Sequence, residues 1–164
     1  MKFNLKKFAL LVEIIGGISI IISLIFVGIQ LRENSKATRS ATAAATVSEL
    51  TSFYSNLGNS EQGSRVFYEF MVRPDSLSET ERFQAIMNAH GVMLTIQNSY
   101  YLVKEGTLDE EIMNSVMGSV LATKDNPGFK VFWNARRDLF FEEFQAYIDS
   151  LRRDDSKISR EIYE

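Results

Sequence analysis

The 164-residue chain has no cysteine, one histidine, one tryptophan and two prolines. The first absence excludes disulfides and every zinc or iron–sulfur site built on thiolates. A single histidine leaves no pair with which to hold a metal or to build the Glu-x-x-His ligand sets of di-iron bundles. Pro74 and Pro127 are too few to interrupt more than two places, so long helices are permitted over most of the length. Basic charge is also scarce. Eighteen Lys and Arg face 21 Asp and Glu, a net charge of −3. Setting aside residues 1–31 removes Lys2, Lys6, Lys7 and Glu13, which leaves 15 against 20, or −5. A mildly acidic body offers no basic face for a phosphate backbone, so nucleic acid is excluded as a partner.

One long stretch lacks charge altogether. From Ile14 to Leu31 there are 18 residues with no ionisable side chain, inside a 24-residue apolar run, Phe8 to Leu31, broken only by Glu13 and Gln30. At about 1.5 Å per helical residue that run reaches roughly 36 Å, enough for a hydrocarbon core of about 30 Å. Cleavable signal peptides have apolar regions of about 7–15 residues followed closely by small residues. Here the run is longer, and the Ala-rich stretch Ala41–Ala45 begins ten residues beyond Leu31. The expectation is a retained single-pass anchor in the lipid bilayer. Lys2, Lys6, Lys7 and the terminal amine outweigh Arg32, Lys36 and Arg39 with Glu33 by a small margin. By the positive-inside tendency this leans to a cytoplasmic amino terminus and a domain outside the cytoplasm.

Beyond the apolar run the pattern is helical throughout. No glycine or proline occurs between Gly28 and Gly58, and residues 36–50 are rich in alanine. The spacing predicts one helix from Phe8 to Leu57, with Val47, Leu50, Tyr54 and Leu57 as its packing stripe. Gly58-Asn59-Ser60 ends it, and a shorter helix carrying Val66, Phe67, Phe70 and Met71 stops before Pro74. Ser78 with Glu81 reads as a capping box, and Gly106 as the stop of the helix it opens. Thr107 with Glu110 repeats the cap signature, for a helix striped by Leu108, Ile112, Val116 and Val120. Asn126-Pro127 starts another, and a break is expected near Phe140 and Phe141. No segment has the period-two alternation of a strand. The fold class is therefore all-α: an N-terminal transmembrane helix continuing into a long stalk helix, then a bundle of about four or five helices. The expected division is a basic flank 1–7, a transmembrane helix 8–31, a stalk 32–57, a helical domain 58–153 and a polar tail 154–164.

Two groups of residues stand out as candidate sites. On a 3.6-residue turn, Gly16, Ser19, Ser23, Gln30, Asn34, Ala37, Ala41, Ala45 and Ser48 fall on one face of the anchor and stalk. Small residues on one face allow a second helix to approach closely, which predicts a homodimer or docking on another membrane protein. The second group is His90, Gln97, Tyr101 and Trp133, on aromatic stripes of the domain. If they line a cavity, the domain binds a small molecule or a lipid and acts as a sensor. His90 has the chemistry of a general base or a haem ligand, but no Ser or Asp stands at helical spacing to complete a triad. It is expected as a hydrogen-bonded core histidine. Arg136 and Arg137 beside Trp133 are expected to lie over aromatic rings and pair with Glu142 or Glu143. No cofactor, metal or catalytic residue is predicted. An interaction or scaffold module is the leading function.

The stretches EIIGGISIIISLIFVGIQLRENSKATR, QNSYYLVKEGTLDEE and NPGFKVFWNARRDLFFEEFQAYID resemble a family of uncharacterised bacterial proteins. Its most specific marks are Gly28-x-Gln30-x-Arg32-x-Asn34, Asn98-x-Tyr100-Tyr101 with Gly106, and Trp133 with Arg136 and Arg137. Members often have a proline where this chain has Glu142 or Glu143. The resemblance implies one amino-terminal span in the bacterial inner membrane and a small helical domain, and it implies no activity.

Overall fold

The computed structural model describes residues 5–153; residues 1–4 of the flank and the tail 154–164 lie outside that range. Among the described residues there are six α-helices and no strand. The first, α1, runs Leu5–Gly58 without a break, as the absence of glycine and proline after Gly28 requires. The chain divides into two units, Met1–Ser40 and Ala41–Glu164. The distal stalk thus belongs with the bundle rather than with the anchor.

In the first unit every described side chain is exposed, including the whole apolar run. At 100° per residue, the exposed Leu11, Val12, Ile14, Ile20, Leu24 and Phe26 point in all directions around the helix. A helix apolar all round has no solvated side to turn to water. Its residues from Phe8 onward are long and apolar enough to cross a membrane. Ser19 and Ser23 donate their hydroxyls to the carbonyls of Ile15 and Ser19, each at 2.8 Å. Both polar groups are thereby satisfied within the helix, the usual device for serine in an apolar span.

The second unit starts where α1 first buries a face. Thr46 (4% exposed) and Leu50 (9%) are buried, with Phe53 and Leu57 half-buried beside them. The expected stripe was nearly right and rotated. Val47 and Tyr54 are about half exposed, at 48% and 49%. One residue is 100° of rotation, so a seam centred on 46, 50, 53 and 57 leaves 47 and 54 at its edge.

Short-range chemistry sets each later boundary. The Ser60 hydroxyl accepts the Gly63 N–H at 3.0 Å and opens α2 (Glu61–Val72). A 3₁₀ turn, Pro74–Ser76, follows. The capping box forms: Ser78 Oγ accepts from Glu81 N at 3.4 Å, and Glu81 Oε2 accepts from Ser78 N at 3.1 Å. It opens α3 (Glu79–Lys104). Gly106 ends that helix in the left-handed region, φ 68°, where a residue with a Cβ is strained. The second cap signature does not form. Thr107 instead turns its hydroxyl back to the Leu102 carbonyl at 3.2 Å, and α4 (Glu110–Thr123) is capped by Asp109 two residues later. Asn126 and Pro127 open α5 (Pro127–Arg136) as expected. The break at Phe140 and Phe141 is present between a 3₁₀ turn, Arg137–Leu139, and α6 (Glu142–Arg153).

The buried aromatic residues of the core come from α2, α5, α6 and the break before α6, and α3 and α4 add aliphatic ones. Phe70, Phe132, Trp133, Phe144, Ile96, Ile148 and Val120 have under 2% of their surface exposed. Trp133 stacks between Phe129 (centroids 6.3 Å) and Phe140 (5.5 Å). Helix α5 reaches α2 through Gly128. A Cβ there would sit 2.0 Å from the Phe70 carbonyl oxygen and 2.8 Å from Met71 Cα. Only glycine lets these two backbones meet.

Candidate functional site

The nine residues of the small-residue face, Gly16, Ser19, Ser23, Gln30, Asn34, Ala37, Ala41, Ala45 and Ser48, are all exposed. In the first unit this distinguishes them from nothing, because everything there is exposed. In the second unit it does. Ala41, Ala45 and Ser48 lie about 140° around α1 from the buried seam of Thr46, Leu50, Phe53 and Leu57, at 100° per residue. Where the bundle holds α1, it holds the opposite side.

Of the second candidate group, His90, Gln97 and Trp133 converge on Phe140 and Phe141, while Tyr101 does not share their burial. Tyr101 is half exposed on the surface of α3. Gln97 is buried, and its Oε1 accepts the Phe141 N–H at 2.8 Å. Together with Gln145, whose Nε2 donates to the Phe140 carbonyl at 2.8 Å, it satisfies the backbone left open by the break before α6. That is a structural role. Trp133 is wholly buried and donates its indole N–H to Asp149 Oδ1 at 2.7 Å. His90 packs on Phe140 (5.1 Å) and Phe132 (6.4 Å). Its Nδ1 is buried without a hydrogen-bond partner among the described residues, contrary to the expectation of a bonded core histidine. Burial first, and the nearby Arg136 charge second, hold its pKa below the ordinary value, so it is neutral at pH 7. His90, Gln97 and Trp133 thus pack on the rings and backbone of Phe140 and Phe141.

Asp149 is the residue that the sequence reading missed. It accepts from Trp133 and from Arg137, whose Nε and Nη2 approach Oδ2 at 3.0 and 2.9 Å. Burial pushes its carboxyl up, and the Trp133 and Arg137 bonds outweigh that and leave its pKa lowered. Arg137 therefore pairs with Asp149 and Asp138, and not with Glu142 or Glu143. Glu143 pairs with Lys104. The cluster ties α5 to α6 through three hydrogen bonds on Asp149.

An open volume does exist elsewhere in the second unit. A cavity of about 310 Å³ lies among the distal α1, α2, α3, α4 and α5. Phe53, Phe67, Met71, Ile96, Val120 and Phe129 form much of its wall. None of its lining residues is charged. Its hydroxyls from Ser119 and Thr123 donate to the carbonyls of Val116 and Ser119, each at 2.9 Å. Sequence periodicity places these residues on inward faces but gives no sign that the faces fail to meet. Among the described residues no cluster of three His, Cys, Asp or Glu side chains is arranged to hold a metal.

No family model matches the chain, and no curated protein or solved structure matches it.

Proposed function

We propose that the protein is a single-pass membrane protein whose helical domain is a tethered interaction module that associates through the small-residue face of α1. The observation that carries this reading is the free side of α1 in the second unit. Ala41, Ala45 and Ser48 are exposed while Thr46 and Leu50 are buried on the other side. The same face continues by helical spacing to Gln30, Ser23, Ser19 and Gly16, in a segment long and apolar enough to cross a membrane. In a bilayer, small residues there let a second helix approach closely, so the partner is a second copy or another membrane protein. The resemblance to single-span bacterial proteins supports an inner-membrane location. The amino-terminal lysines support a cytoplasmic amino terminus with the domain on the far side.

The lack of native cysteine makes the test simple. Single cysteines at Ser23 or Ala41 are expected to crosslink between chains in native membranes, and one at Ile21 is not. Equal yields at all three positions defeat the proposed face.

A further inference from the structure

The cavity beside α4 contains an unexplained glycine. Gly118 lies in the middle of α4, where glycine disfavours a helix relative to alanine. Close packing usually accounts for such a residue, as it does at Gly128. At Gly118 a Cβ would meet nothing within 4 Å. The residue lines the cavity and is exposed, as is the half-exposed Tyr54 on the neighbouring wall. The open space in front of Gly118 is therefore part of the cavity.

We infer that this cavity binds one acyl chain of a lipid. Its volume of about 310 Å³ reaches the range of small-molecule sites, about 300–1,000 Å³. Apolar cavities of about half that size already admit a benzene-sized guest. The chemistry of the wall selects the guest. Phe53, Phe67, Met93 and Phe129 offer only dispersion contacts, and the Ser119 and Thr123 hydroxyls are already donated to their own helix. No charged residue lines the site, so a carboxylate or phosphate has no partner inside and stays in water beyond Gly118 and Tyr54. A hydrocarbon tail with an external headgroup satisfies both conditions. A compact polar metabolite satisfies neither. Supply follows from the covalent chain. Ten residues, 32–41, separate Leu31 from the first packed residues of the bundle, a leash of no more than about 35 Å. This argument for supply rests on the membrane reading above; the fit of the chain to the cavity does not.

The test uses the full chain in phospholipid vesicles and a fatty acid carrying a terminal diazirine, supplied free in one arm and esterified in phosphatidylcholine in the other. After irradiation, tryptic peptides 66–82 and 105–124 report the cavity, and peptide 8–32 reports the bilayer. Labelling of both cavity peptides is expected in at least one arm, and the arm identifies the source. Gly118→Phe fills the mouth and is expected to lower labelling of peptide 66–82 by about tenfold or more, as a bulky side chain excludes a guest. Gly91→Phe is the control, since Gly91 also has open space around its Cβ but lies outside the cavity. Its labelling should match the native chain. Labelling confined to peptide 8–32, or labelling of peptide 66–82 that survives Gly118→Phe, overturns the inference. Absence of label from peptide 8–32 in the esterified arm contradicts the membrane reading instead, while the free-acid arm still tests the cavity.

Discussion

The two ends of α1 are built from the same backbone hydrogen bonds and live under different rules. Between Phe8 and Leu31 the side chains are apolar on every side, and none is covered by protein. Between Ala41 and Gly58 one side is covered by the bundle, and the exposed side is mostly alanine, serine, threonine and asparagine. The distal segment obeys the amphipathic pattern of a helix in water. The proximal one does not, and it is long and apolar enough to cross a membrane. The same residue type consequently has opposite meanings in the two units. Glycine at 16, 17 and 28 has open space around it, while glycine at 128 is clamped between backbones.

That contrast yields the largest expected effect. Gly128→Ala places a methyl group where Phe70 and Met71 already sit, and should lower bundle stability by about 3 kcal/mol through overpacking. Gly16→Ala should leave it unchanged. Thermal unfolding of the two full-length variants in the same detergent checks this, and equal shifts would erase the distinction between the units.

A carboxylate comparison comes next. Asp149→Ala strips two donors, Trp133 and Arg137, of their shared acceptor and should cost about 2 kcal/mol. Glu13→Ala, in the exposed proximal segment, should cost the bundle nothing. Trp133 is the only tryptophan, so its fluorescence during denaturation reads the site directly.

Gly118→Ala should act in the opposite direction, raising stability by about 1 kcal/mol through helix propensity alone. Gly91→Ala should do the same, and a denaturant midpoint measures both. A loss at either position would mean that its open space is occupied by protein.

The smallest effect is a pH dependence. Hydrogen bonds first from Arg65 and then from Ser78 hold the Glu81 carboxyl down from 4.5 to about 2. A depressed carboxylate stabilises the fold above its unfolded pKa, and this contribution is lost as the pH falls through the folded one. Glu81→Gln should therefore melt below the native chain at pH 7. The gap should narrow from about pH 4.5 downward and close near pH 2. A gap independent of pH would assign the effect to something other than charge.

Helix boundaries were legible in the sequence wherever a residue and its partner lie within a few positions. Ser60 with Gly63, Ser78 with Glu81, Gly106 and Asn126-Pro127 are all local devices, and each marks a boundary in the structure. The Thr107 signature failed because its hydroxyl found a nearer carbonyl behind it, at Leu102. Facing was read less well. The stripe expected on α3, from Phe83 and Ile86 through Met87, His90, Met93, Leu94 and Gln97 to Tyr101, includes two of the buried residues, Met93 and Gln97, while Ala85, Ala89, Ile96 and Ser99 complete the buried side. Small alanines face inward there because neighbouring helices come close, which periodicity alone does not disclose. Long-range partners were out of reach. Asp149 lies 16 residues from Trp133, and Gln97 lies 44 from Phe141. The cavity was hidden for a related reason, since it is defined by side chains from five helices that stop short of one another.

The account depends most on residues 8–31 lying in a bilayer. Single cysteines at Ile21 and Ala41, in a chain with no other thiol, test this with N-ethylmaleimide, which crosses membranes but reacts with a thiol only where water allows it to ionise. In intact membranes the cysteine at Ala41 should react and the one at Ile21 should not, until detergent and denaturant expose it. Equal reaction at both positions in intact membranes would contradict the membrane-spanning reading.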